Sequence, residues 1–281
     1  MGRVRGPGWG HQLAPERVLS EMRQAGLTAT ELGPEGFLPS DTAELVATLD
    51  GHGLSCVGGF VPVVLFDEQH DPVDDLAGPL ESLVAAGAGV VVLAAATGAD
   101  GYDARPALSE MHWQTLLSNL DRLADVVAQR GLIAVLHPHV GTMVETRAEV
   151  DRVLTGSRIP LCLDTGHLLI GGTDPLQLAR EVPERIKHAH LKDVDAALAA
   201  KVQSGALTYT EAVAAGMYVP LAPVTSTSPA SSRRWRGSGF DGWYVMEQDT
   251  ILDGEPEGEG PLADVLASVA FLADAASGVS A

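Results

Sequence analysis

Residues 161–170 read LCLDTGHLLI, an apolar run that ends in a carboxylate and an imidazole. A short apolar run that is closed by Asp and Gly is typical of a buried strand in a parallel sheet. The carboxyl ends of parallel strands lie at one face of the sheet, so polar side chains placed there can act together. Asp164 and His167 therefore mark both the end of a strand and a candidate site.

The same arrangement recurs three more times in the second half of the chain. The segments are LIAVLHPHVGT at 132–142, IKHAHLKDVD at 186–195 and GWYVMEQD at 242–249. Each is an apolar, strand-like run that ends in groups able to bind a metal. We expect the polar side chains of the four segments to converge at one face of the sheet, namely His137, His139, Asp164, His167, His190, Asp193 and Glu247.

Seven strand-like runs alternate with helix-like periods along the chain, which is the pattern of repeated βα units around a parallel sheet. We predict a single domain over residues 1–281 with an α/β fold, a TIM (β/α)8-type barrel. An eighth strand should precede the helix near Pro15, but residues 1–10 contain Gly, Arg and Pro without apolar alternation. The predicted barrel therefore lacks its first strand, and it is irregular around the Ser/Thr/Pro-rich window 221–236.

The composition is strongly acidic, with 18 Lys and Arg against 37 Asp and Glu and a formal charge of −19. This charge repels phosphate backbones and anionic lipid surfaces, so we expect neither nucleic acid nor a membrane as a partner. Cys56 and Cys162 lie in apolar runs, as buried thiols do in a reducing compartment. The first residues lack the apolar segment of a secretory signal, and we expect a cytoplasmic protein.

Three residues are candidate metal ligands. Asp164 and His190 lie at or near strand ends, and Glu247 between Met246 and Gln248 would be a buried carboxylate that needs a cation. Either His137 or Glu145 is expected to complete the ligand shell. Imidazoles with carboxylates suit Mn, Co, Fe, Zn or Mg, so we predict a divalent ion without its identity.

Each candidate ligand also has a structural interpretation. Asp164 is an alternative cap for the helix that follows it. Glu247 is an alternative partner of an arginine such as Arg185. For His137 and His139, the alternative to ligand or substrate binding is that they are neutral histidines packed in the core.

Other residues are candidates for substrate binding and proton transfer. Lys192 shares the strand parity of His190 and is suited to protonate or polarise a substrate oxygen, with a surface Lys192–Asp193 pair as the alternative. Glu31, in TELGPEGFLP at 30–39, is expected to line the substrate or to order its loop. The aromatics of GWYVMEQD, including Trp243, are expected to wall a sugar-sized pocket. His139 is a further substrate-binding candidate.

The chain resembles the xylose-isomerase-like superfamily of sugar phosphate isomerases and epimerases, and within it the inosose dehydratases. The resemblance runs from about residue 7 to the carboxyl terminus and is carried by PGWGHQ, TELGPEGFLP, GGFVP, HPHVGTMVET, LDTGH, HLKDV and GWYVMEQD. It implies a divalent ion at the carboxyl mouth of a TIM barrel, held by Asp164, His190 and Glu247. His137 stands where many relatives have Glu.

The resemblance also implies a reaction, the loss of water from a keto-cyclitol or ketosugar through an enediolate. The ion polarises the ketone, and a positioned base removes the neighbouring hydrogen. His167 and Lys192 are the candidates for base and acid, in unassigned order, and Glu145 is a third catalytic candidate. The implied partner is a small sugar or cyclitol, and relatives often form homo-oligomers.

Three alternative functions remain at this point. Reprotonation of the enediolate would make the same metal site an isomerase or epimerase. An endonuclease IV-like phosphodiesterase shares the DTGH and HxKD patterns, but the charge of −19 disfavours a DNA-binding face. A degenerate barrel that binds a sugar without catalysis would follow from the missing strand. No Walker loop, GxGxxG fingerprint or GxSxG elbow occurs, which disfavours nucleotide-binding and serine-hydrolase functions.

Overall fold

The computed structural model describes residues 10–221 and 240–277. Seven parallel strands form one sheet, in which they neighbour one another in the order in which they occur along the chain. These strands are β1 (Ala29–Leu32), β2 (Ser55–Val63), β3 (Val90–Ala95), β4 (Ile133–Leu136), β5 (Leu161–Asp164), β6 (Ile186–Leu191) and β9 (Tyr244–Met246). Two shorter strands, β7 (Asp193–Val194) and β8 (Tyr218–Val219), form an antiparallel pair of their own.

Helices alternate with these strands. They are α1 (Pro15–Gln24), α2 (Thr42–Gly51), α3 (Pro72–Ala85), α4 (Glu110–Ala128), α5 (Arg147–Gly156), α6 (Thr165–Ile170), α7 (Pro175–Glu181), α8 (Ala196–Gln203), α9 (Tyr209–Ala214) and α10 (Leu262–Ser277). Aspartates at the caps of α2, α3 and α7 accept hydrogen bonds from amides of the first turn, as N-caps do. Within the described residues, no helix has the length and apolarity needed to cross a bilayer.

The fold prediction is confirmed: the sheet is parallel, helices follow the strands, and each of the seven strand-like runs contains a strand. Residues 10–14, which precede α1 in the described part, contain no strand. Residues 1–9 and 222–239 lie outside the described residues, and with them nearly all of the window 221–236. The assignment of residues 1–281 to one domain stays a prediction.

The core lies between the sheet and the helices because both carry continuous apolar faces. All six residues of β3 are buried, as expected of a parallel strand that is covered on both sides. On α4 the buried side chains recur every three or four residues, which places them on one face of the helix. They are Trp113, Leu116, Leu120, Leu123 and Val127.

An insertion between β6 and β9 covers the carboxyl-end face of the sheet. Its described part consists of β7, α8, α9 and β8, and neither helix was predicted from the sequence. Tyr209, Met217 and Tyr218 of this insertion form a second apolar cluster with Val140 and Ile170, which follow β4 and β5. The insertion thereby encloses the face at which the candidate site residues were expected.

Candidate metal centre

The structure brings the predicted ligands together at the carboxyl ends of four strands. Asp164 ends β5 and is paired in register with His190 on β6, while Glu247 directly follows β9. One ligand atom from each of these three residues lies within 4.8 Å of the others. Nε2 of His137, just after β4, lies 3.2 Å from Oδ2 of Asp164. His137 is therefore close enough to act as a fourth metal ligand.

Asp164 uses its two oxygens for different purposes. Oδ1 accepts a hydrogen bond of 2.7 Å from the amide of His167, which caps α6. Oδ2 faces His137 and lies 3.7 Å from Nδ1 of His190. The cap and the ligand interpretations of Asp164 are thus compatible.

His190 presents a ring nitrogen to two carboxylates without bonding to either. Its Nδ1 lies 3.3 Å from Oε2 of Glu247 and 3.7 Å from Oδ2 of Asp164, but it makes no aligned hydrogen bond. Burial alone would lower the pKa of His190, yet its electrostatic interactions with Cys162, Glu247 and Glu31 raise that pKa well above its usual value. The pocket between these three groups therefore strongly favours positive charge.

The charges around Lys192 and His190 also favour a bound cation. Three carboxylates, those of Asp164, Glu247 and Asp249, lie within 3.4 Å of the ammonium group of Lys192, and a fourth, that of Glu31, contacts His190. Burial would raise the pKa of Asp164, but the charge of Lys192 and the hydrogen bond from His137 bring it to about 2, so it stays ionised. Carboxylate and imidazole donors with excess negative charge fit a divalent cation.

Lys192 and His167 form a hydrogen-bonded pair beside these donors. Nζ of Lys192 lies 2.9 Å from Nε2 of His167 and 2.6 Å from Oε2 of Glu247. Burial would lower the pKa of Lys192, but its carboxylate neighbours Asp164, Asp249 and Glu247 raise it well above its usual value. Burial and nearby positive charges lower the pKa of His167 well below 6.5. The proton of the pair therefore lies on Lys192, and His167 is neutral.

Aromatic rings form a layer over this pair. The rings of His139 and His167 pack at a tilt with centroids 3.6 Å apart, and the ring of Tyr102 lies 4.7 Å from that of His139. The hydroxyls of Tyr209 and Tyr218, both from the insertion, are 2.9 Å apart. His139, predicted to bind substrate, thus lies in the wall of the site. None of the three tyrosines was predicted from the sequence: Tyr209 and Tyr218 depend on the insertion, and Tyr102 lies in the loop between β3 and α4.

The structure places three other predicted site residues differently. Glu145 accepts a hydrogen bond from the amide of Gly141 and pairs with Arg105 at 3.3 Å, so it orders the 139–146 loop. Trp243 precedes β9, whereas the site follows it, and its side chain is 50% exposed. Glu31 does not face an open wall: its carboxylate accepts hydrogen bonds from two histidines of β6.

Two alternative ion pairs are not formed as the sequence suggested. Arg185 donates hydrogen bonds to the carbonyls of residues 154, 157 and 159, while Glu247 faces His190 and Lys192. The alternative prediction of a surface ion pair between Lys192 and Asp193 is wrong, because both residues are buried. Asp249, which the sequence analysis did not single out, lies 3.0 Å from Lys192 instead.

Gly141 is a position of the site loop that no side chain fits. Its φ is +74°, and a Cβ atom there would lie 2.3 Å from the carbonyl oxygen of Tyr102. We expect Gly141→Ala to lower the free energy of unfolding by about 2 kcal/mol or more, because backbone strain and a steric clash add. Gly172→Ala is the matched control, with φ +81° and open space around it. Denaturant unfolding that gives equal losses for both variants would contradict the packing of Tyr102 on this loop.

Comparisons with known proteins match most of the chain. The model of the family described as xylose isomerase-like TIM barrel matches residues 19–272. An inosose dehydratase of Geobacillus thermodenitrificans is 31% identical over 86% of this chain and 85% of that protein. The rhizopine catabolism protein MocC of Rhizobium meliloti is 32% identical over 83% of this chain and 74% of that protein.

Solved structures share the fold at lower identity. The probable 3-DHS dehydratase AsbF of Bacillus anthracis has a TM-score of 0.65 and 14% identity, and the match covers 94% of each chain. The IOLI protein, whose crystal structure has a zinc atom bound, has a TM-score of 0.66 and 16% identity, with 97% of this chain and 96% of that chain covered. At these identities, the structures establish the fold of the described chain and no more.

Proposed function

Because the chain belongs to the xylose isomerase-like TIM barrel family, we propose that it is a divalent-metal-dependent lyase that removes water from a keto-cyclitol. The observation that carries the proposal is the identity of 31% to an inosose dehydratase over 86% of the chain. The carboxylate and histidine donors at the carboxyl ends of the strands support it. The substrate class is a small polyhydroxylated ketone.

The chain's own donors support one metal site. Asp164, His190 and Glu247 would hold the ion, and His137 rather than Glu145 would be the fourth ligand, since it lies 3.2 Å from Asp164. When bound, a divalent ion supplies Lewis-acid polarisation of the substrate ketone. Imidazole and carboxylate ligands are compatible with Mn, Co, Fe, Zn or Mg, and the zinc of the IOLI protein falls within this set.

The Lys192–His167 pair would carry the protons. Neutral His167 takes the hydrogen from the carbon next to the ketone as a proton, and the electron pair of that bond forms the enolate. The bond from the β-carbon to its hydroxyl then breaks, and the hydroxyl leaves as water with a proton from Nζ of Lys192. The pair is reset when His167 returns its proton to Lys192 along the 2.9 Å contact between them.

The enclosure of the site favours elimination over side reactions. Asp164, His167 and Lys192 are all buried. Tyr209 and Tyr218 place apolar ring surface beside the proton-transfer pair and limit the access of water. Glu247 is 28% exposed and Asp249 40%, so the substrate would enter from their side.

The mass of the product tests the proposal. The metal-loaded chain, incubated with a keto-inositol, is expected to give a product lighter by one water, while EDTA-treated protein gives none. A product of unchanged mass would favour the isomerase or epimerase alternative. Unchanged keto-inositol in the presence of well-folded, metal-loaded protein would contradict both and support a barrel without catalysis.

A further inference from the structure

The carboxylate of Glu31, on a strand at one end of the sheet, contacts two histidines of a strand near the other end. Glu31 lies on β1, at one end of the strand order, whereas His188 and His190 lie on β6, next to the other end. Oε1 of Glu31 is 2.5 Å from Nε2 of His188 and 3.0 Å from Nε2 of His190. Only 10% of the Glu31 side chain is exposed, so water does not compete strongly for these bonds.

The direction of these bonds fixes where protons lie on the rings. An ionised carboxylate only accepts hydrogen bonds, so each Nε2 that bonds to it carries a hydrogen. Oε1 of Glu31 lies within hydrogen-bond distance of both Nε2 atoms, so it accepts from two donors, as an ionised carboxylate does. A histidine that binds a metal is neutral and has one N–H. With that hydrogen on Nε2, the lone pair of His190 is on Nδ1.

Nδ1 of His190 is the nitrogen that faces the candidate ligands. It lies 3.3 Å from Glu247 and 3.7 Å from Asp164, without an aligned hydrogen bond to either. A lone pair directed at two carboxylate oxygens is repulsive unless a cation lies between them. The opposite tautomer would direct the lone pair of Nε2 at Glu31 and place the hydrogen where the ion belongs.

We propose that Glu31 is a positioning residue that holds His190 in the Nε2–H tautomer and so presents Nδ1 to the metal. His188 makes the second hydrogen bond to the Glu31 carboxylate and holds the Glu31 side chain in place. That side chain in turn orients the ring of His190. This inference rests on the part of the proposed function that places a divalent ion at this site. It does not depend on the proposed reaction. Outer partners of this kind orient a ligating imidazole and raise its basicity.

Glu31 also ties β1 to the opposite part of the sheet. In the described residues, β1 and β9 are the ends of the strand order, and the contacts of Glu31 with β6 span between the two sides. A loss of stability in a Glu31 variant would therefore not by itself reveal positioning. The test needs readouts that follow the ring nitrogens and the metal.

Glu31→Gln and Glu35→Gln form a matched pair, because Glu35 is an exposed residue of the loop that follows β1. In zinc-loaded wild-type protein labelled with 15N-histidine, we expect NMR to show a hydrogen on Nε2 of His190 in a downfield, hydrogen-bonded resonance and none on Nδ1. We expect Glu31→Gln to lose or shift this resonance and to weaken zinc binding by about 10- to 100-fold. Glu35→Gln is expected to match the wild type in both measurements.

Glu31→Asp separates position from charge, and it also serves if Glu31→Gln does not fold. Aspartate keeps the negative charge but is shorter by one methylene group, so a purely electrostatic role predicts wild-type zinc affinity, and positioning predicts a loss. An unprotonated Nε2 on His190 in the wild type, or wild-type zinc affinity in Glu31→Gln and Glu31→Asp, would overturn the inference. Failure of the wild type to bind zinc would overturn it together with the metal site. Zinc binding without dehydration would remove only the proposed reaction.

Discussion

Glu247→Ala is expected to weaken the binding of a divalent metal by more than about 100-fold, beyond the usual effect of losing an outer partner of a ligand. Glu247 is one of three residues whose donor atoms lie within 4.8 Å of one another, and its removal leaves Asp164 and His190 without the third. Turnover of the keto-cyclitol is expected to fall with metal occupancy. Competition with a coloured chelator measures the affinity, and metal analysis after gel filtration measures the occupancy.

Glu247→Ala is expected to stay folded, because the carboxylate of Glu247 is partly exposed and its neighbour Lys192 keeps other partners. Lys192 retains Asp249 at 3.0 Å and Asp164 at 3.4 Å after Glu247 is removed. Glu257→Ala, at an exposed position of the same segment, is the control and is expected to bind metal like the wild type. Wild-type metal affinity in folded Glu247→Ala would show that the ion, if any, is held elsewhere.

Lys192→Met is expected to lower kcat by about 10²- to 10⁴-fold, the usual contribution of a positioned acid or base. Methionine fills similar space but has no proton to give to the departing hydroxyl or to His167, which lies 2.9 Å from the lysine nitrogen. The ligands Asp164, His190 and Glu247 remain, so metal should still bind. Steady-state kinetics on metal-saturated protein, with the metal content measured in parallel, separate the two effects.

Lys201→Met is the matched control, because Lys201 is exposed on α8, outside the site. Its kcat is expected to equal that of the wild type. If Lys192→Met retains kcat within a few-fold, Lys192 is not the proton donor, and the reaction must use another group. If Lys192→Met loses its metal, Lys192 supports the ligand geometry instead of the proton transfer.

The ligands were predictable from the sequence because two simple rules apply to them. Parallel strands place their carboxyl ends at one face, so Asp164 and Glu247 had to approach each other once their strands were recognised. The period of two along β6 put His188 and His190 on the same side. Local pattern and sheet geometry were sufficient there.

Other parts of the site depend on contacts that no local pattern contains. Glu31 meets His188 across 157 positions of the chain, so its partner is set by the closure of the fold. Trp243 and Glu247 are in one short segment, and only the exact start of β9 shows that they lie at its opposite ends. The insertion that carries Tyr209 and Tyr218 has short helices and a two-residue strand at each end, too brief for periodicity to reveal.

Reloading metal into EDTA-treated protein tests whether the loss of water depends on the bound ion. Zinc or manganese is added in steps, and bound metal and the rate of water loss from a keto-inositol are measured on the same samples. We expect dehydration to be absent from the metal-free chain and to rise in proportion to occupancy up to a single ion per chain. Dehydration that is undiminished in metal-free protein, or absent from fully loaded and folded protein, would contradict it.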